Sequence, residues 1–109
     1  MARPDLSISV QHAPDEAIVT LAGEIDMSTV ARLSRAVEDL LHPAPSRIML
    51  DLGGVTFCDS QGLGTLVVLS RRANQAHSHL ILVNLRDFLL RVLDITGLRG
   101  ALTIRETAG

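Results

Sequence analysis

A chain of 109 residues with 47% apolar side chains is long enough for one domain with a sizeable core. A formal charge of −2 and a pI near 6.0, with no basic run and no aromatic platform, exclude an electrostatically driven nucleic-acid binder. The single cysteine, Cys58, rules out an internal disulfide; no apolar stretch is long enough for a bilayer, and the first residues lack a signal-peptide core, so a cytoplasmic protein without a membrane partner is expected. With Phe57 and Phe88 as the only aromatics, the core must be built from Leu, Val, Ile, Ala and Met.

Leu6, Ile8 and Val10 alternate with polar residues, the period of a strand wet on one side, and the apolar, β-branched run Ala17–Ala22 follows a turn at His12–Asp15. An antiparallel hairpin therefore opens the fold. Met27 to His42 reads as a helix on the spacing of Val30, Leu33, Val37, Leu40 and Leu41, capped by Asp26 or Ser28 and stopped by Pro43 and Pro45. Arg47–Leu52 is a strand, with Ile48, Leu50 and Leu52 on one face. After a short link at Gly53-Gly54, Val55 and Phe57 alternate with Thr56 and Cys58. A second helix begins near Leu63 and runs out near Ala76, followed by a polar link at His77–His79.

The continuous apolar run Leu80–Val83 suggests a strand covered on both faces, near the middle of the sheet. A third helix starting at Asn84 carries Leu85, Phe88, Leu89, Val92 and Leu93 at helical spacing, and Gly97 ends it as a left-handed cap. Leu102 and Ile104 mark a last short strand. The expectation is one α/β domain over residues 1–109, with 1–4 and 106–109 frayed: a mixed sheet of about five strands packed against about three helices.

Sites in such sheets lie at the carboxyl ends of parallel strands, where the Asp59-Ser60 and Asn84 turns fall. Ser60 sits at or just before a helix start, whose free N–H groups favour an anion or an acceptor oxygen. Two readings stand side by side: Ser60 as the N-cap, or its hydroxyl as the acceptor of a phosphoryl group. Hydrolysis through Ser60 lacks the first glycine of an elbow motif and a histidine within reach. His77 and His79 have no further ligand nearby for a metal, and Cys58 beside Asp59 has a raised rather than a lowered thiol pKa. Gly62 and Gly64 lack the third glycine of a dinucleotide fingerprint and are better explained by close approach to the helix start.

The stretch Asp51-Leu-Gly-Gly-Val-Thr-Phe-Cys-Asp-Ser-Gln-Gly-Leu-Gly64, with Gly23-Glu-Ile-Asp26 and Asp94-Ile-Thr-Gly-Leu98, resembles the STAS domain family, specifically its bacterial anti-sigma factor antagonists. The resemblance implies a STAS-like fold and a partner switch. In its unphosphorylated form the chain would bind an anti-sigma factor that is also a serine/threonine kinase, releasing the sigma factor. The kinase would phosphorylate Ser60, beside the carboxylates of Asp59 and Asp26, and a PP2C-type phosphatase would reverse it. The implied partner surface comprises Asp26, Asp59, Ser60, Gln61, Gly62, Leu63, Gly64 and Asn84. Many members carry a small hydroxyl residue directly after the phosphoacceptor, where this chain has Gln61. The chain itself would be no enzyme and need no cofactor, the ATP being bound by the kinase, and would be a monomer or weak dimer. The alternative is a non-switching STAS interaction subunit of a transport or stress-signalling complex.

Overall fold

The computed structural model describes residues 5–105, so the termini expected to fray lie outside the described residues. The elements follow the expected order: β1 (Leu6–Ala13), β2 (Glu16–Ile25), α1 (Val30–Asp39), β3 (Arg47–Cys58), α2 (Ser60–Gln75), β4 (His79–Val83), α3 (Asp87–Thr96), a 3-10 turn (Arg99–Ala101) and β5 (Thr103–Arg105). They build one five-stranded sheet in sequential order, β1 antiparallel to β2 and every later neighbour parallel. Strands added in one direction by crossovers of one hand put every helix on the same side of the sheet. Accordingly Leu33 and Val37 of α1, Leu66 and Leu69 of α2, and Leu89 and Leu93 of α3 share a single core with Val19, Leu21, Ile48, Leu50, Leu52, Leu80 and Leu82.

The apolar run of β4 thus has a different cause from cover by helices on both faces. Leu80 and Leu82 enter the main core, while Ile81 and Val83 join Met49 and Ile18 in a small separate strip to which no helix contributes. The middle strand is β3, with β4 beside it.

Three boundaries also differ from expectation. No link interrupts β3 at Gly53-Gly54: the strand is continuous to Cys58, and Gly54 lets it press on β2, since a Cβ there would stand 2.8 Å from Ala22 Cβ. α1 starts three residues late, because Asp26 spends its groups on a turn first. Its carbonyl accepts from the N–H of Thr29 and Val30 (both 3.0 Å), its carboxylate from Ser28, and buried Thr29 stands at the N-cap. α3 starts at Asp87 because Asn84 adopts a left-handed φ of 58° and turns the chain. Gly97 closes α3 as expected, with φ 75° and bonds from Gly97 N to Asp94 O and Leu98 N to Leu93 O. His77, at φ 62°, closes α2 in the same way: its own N–H reaches Asn74 O, and Ser78 N reaches Ala73 O.

Candidate functional site

The carboxyl ends of β2 and β3 meet where Ile25 pairs with Cys58, so Asp26 and Asp59 emerge side by side. Asp59 is fixed in an extended conformation by its own N–H, which donates to Ile25 O at 3.1 Å. Its carboxylate then serves two elements. Oδ1 accepts from Gly62 N at 2.8 Å, which caps α2, and Oδ2 accepts from Met27 N at 3.3 Å, which holds the β2–α1 loop. The cap that the sequence offered to Ser60 is therefore filled by Asp59. Ser60 is instead the first residue of α2; its side chain is exposed, and its hydroxyl makes no hydrogen bond among the described residues.

Gly62 explains the closeness of these parts. A Cβ there would meet Cys58 Sγ at 2.7 Å, and Ile25 Cγ2 and Ile25 O at 2.8 Å, so only glycine lets the first turn of α2 lie against both strand ends. Leu63 is buried in the core and Gly62 is buried too, so these two of the expected partner-surface residues lie beneath the surface of the turn. Gln61 and Gly64 are exposed, and a Cβ on Gly64 would point into open space. Asn84 is exposed but is not brought to Ser60. Asp51 pairs with Val83, so Asn84 stands by Gly53, and β3 runs on to Cys58 for about 17 Å at ~3.3 Å per residue.

The electrostatics around Ser60 are one-sided. Hydrogen bonds from Ser28 hold the Asp26 carboxyl below the usual carboxylate range, so it is charged at neutral pH. None of the ion pairs among the described residues involves Asp26 or Asp59. Burial, and secondarily the Asp59 charge, push the Cys58 thiol up to about 12, so it is a packing group and not a nucleophile at neutral pH. No group of three or more His, Cys, Asp or Glu among the described residues could hold a metal ion.

Sequence reasoning missed the flank of the site. Ser34 of α1 and Thr65 and Val68 of α2 join Ser60, Gln61 and Gly64 around a groove of about 330 Å³. Met27 and Val68 are 75% and 53% exposed. The signal was available for Val68, an apolar residue off the face defined by Leu66, Leu69 and Ala73.

A family model described as Mlab, STAS domain matches residues 8–105. The anti-sigma-B factor antagonist of Listeria monocytogenes is 32% identical over 106 residues, covering 96% of this chain and 93% of its own. Among solved structures, an anti-sigma factor antagonist from Mycobacterium paratuberculosis superposes with a TM-score of 0.83 at 24% identity, over 95% of this chain and 88% of that one. The Bacillus cell fate determinant SpoIIAA in its phosphorylated form gives 0.70 at 19% identity, over 91% of each. The chain belongs to the STAS domain family. Within that family, its relatives are the anti-sigma factor antagonists.

Proposed function

We propose that this chain is a non-catalytic, cytoplasmic anti-sigma factor antagonist whose unphosphorylated form binds an anti-sigma factor serine kinase and frees the sigma factor. Phosphorylation of Ser60 ends that binding, and a PP2C-type phosphatase restores it. The observation that carries the reading is the unemployed Ser60 hydroxyl: it is exposed, free of the capping duty Asp59 performs, and held at a fixed place by the Gly62 contact. The relatives named as antagonists, and the existence of SpoIIAA in a phosphorylated form, support it.

The energetics suit a switch. A phosphate adds about −1.5 to −2 charge. The α2 N-terminus offsets about 0.3–1 kcal/mol of its cost, so the folded chain tolerates it. In an interface, the same dianion would be desolvated beside Asp26 and Asp59, with no cation among the described residues paired to either. A penalty of about 3 kcal/mol weakens binding by more than a hundredfold. The test is intact mass after incubation with candidate kinases and ATP, followed by site mapping and affinity measurement. Addition of one phosphate at Ser60 with loss of binding supports the switch, and equal affinity with and without it refutes it. The match to a family model described as Mlab favours a second reading, a non-switching interaction subunit, which requires stable partner binding and no phosphate transfer under the same conditions.

A further inference from the structure

The sheet ends in two unlike edges. β5 is three residues long and carries Arg105. β1 pairs along all eight of its residues with β2 in unbroken register, and among the described residues no strand lies on its other side. Free edges are ordinarily guarded by lysine, proline, inward charges or a bulge. Leu6–Ala13 has none of these: its residues are Leu, Ser, Ile, Val, Gln, His and Ala, and the ladder is regular.

Beside this edge, α1 runs in the same direction as β1. Arg32 reaches Asp5 at one end, 2.8 Å away, while Asp39 and Leu40 lie next to His12 at the other. The overhang leaves a groove of about 550 Å³ with Ile8 and Val10 on its floor and Arg35, Ala36 and Asp39 on its wall. Neither Arg35 nor Asp39 has an ion-pair partner among the described residues.

We propose that this edge is a homodimer interface, in which β1 pairs antiparallel with β1 of a second copy about a two-fold axis normal to the sheet. Such a contact is self-complementary. It keeps both helical layers on one side and brings the Ile8 and Val10 rows of the two copies side by side under a joined groove. Because α1 and β1 share a direction, the two-fold also turns Arg35 of each copy towards Asp39 of the other. A parallel pairing of the same two edges would turn one copy over, leaving the two α1 helices on opposite faces of the sheet and these charges apart. On the opposite face, the uncharged Ser7, Ser9 and Gln11 meet without repulsion. The patch is small, so association is concentration-dependent. The Ser60 turns, two strands in from the axis, stay open at opposite ends of the joined sheet.

Sedimentation velocity of the full chain between about 1 µM and about 1 mM tests this. The expected result is a shift from the 11.7 kDa monomer towards twice that mass. Ser9→Lys, which sets like charges near the axis, stays monomeric, whereas Thr103→Lys on the other edge behaves as the unmodified chain does. Asp39→Arg weakens association by at least about tenfold, and Arg35→Asp combined with Asp39→Arg restores most of it, with circular dichroism unchanged throughout. A chain that remains monomeric at about 1 mM, or a dimer that survives Ser9→Lys, overturns the interface. Failure of the charge-exchanged pair to recover overturns the two-fold arrangement.

Discussion

Gly62 and Gly64 lie two positions apart in α2, and their surroundings demand opposite responses to alanine. Both substitutions gain about 0.5–1 kcal/mol of helix propensity by removing glycine's backbone freedom. At Gly64 nothing lies within 4 Å of the added Cβ, so that gain is the whole effect. The melting temperature should rise by about 2–8 °C for a domain of this size. At Gly62 the same methyl meets three atoms at 2.7–2.8 Å, one of them the Ile25 carbonyl oxygen, which no rotamer change can move. Overpacking of this kind costs about 1–3 kcal/mol and more where backbone is the obstacle, which leaves a net loss of up to about 2.5 kcal/mol. Thermal melts and urea titrations with a shared m-value measure both. The displaced turn also carries Asp59 and Ser60, so Gly62→Ala should slow phosphate transfer to Ser60 as well. A Gly62→Ala chain as stable as Gly64→Ala would show that α2 is not seated on the ends of β2 and β3 as described.

Asp59→Ala should cost about 1 kcal/mol through loss of the α2 cap, while Ser60→Ala should change stability by less than about 0.5 kcal/mol; chemical denaturation reads both, and a reversed order would make Ser60 the cap. Ser78 is buried with its hydroxyl unpaired among the described residues, so Ser78→Ala should be neutral or stabilise by about 1 kcal/mol in the same assay. The Cys58 thiol, with its folded pKa raised to about 12, contributes stability in full below the unfolded thiol value of about 8.5 and loses it as pH rises towards 12. Cys58→Ala should therefore flatten the decline of stability in that alkaline window, and a disulfide reagent at neutral pH should label the native chain only slowly.

The order of elements was legible because each has its own period: alternation in β1, helical spacing at Leu33 and Val37 and again at Leu89 and Leu93, and prolines after α1. The turn bearing Ser60 was legible for the same reason, since the period changes there. Which residue caps α2 was not, because Asp and Ser are equally good caps. The choice is made by a bond from Asp59 N to a carbonyl more than thirty residues earlier, Ile25 O. The glycine pair at Gly53-Gly54 reads as punctuation, and only the approach of Ala22 shows it to be strand. The displacement of Asn84 from Ser60 depends on the register of β4 against β3, on which local sequence carries no information. His77 gave no warning that it would take a left-handed conformation, a role that glycine usually fills.

β4 stops pairing at Asp51, yet β3 continues to Cys58 with β2 alone beside it. The Ser60 hydroxyl is thus mounted on a two-stranded arm that projects past the rest of the sheet. Under the proposed switch, a docking protein would have the unflanked side of this arm as well as its tip to grip. The same geometry makes the arm the weakest part of the ladder, so amides from Gly54 to Cys58 should exchange with solvent ahead of those from Ile48 to Leu50.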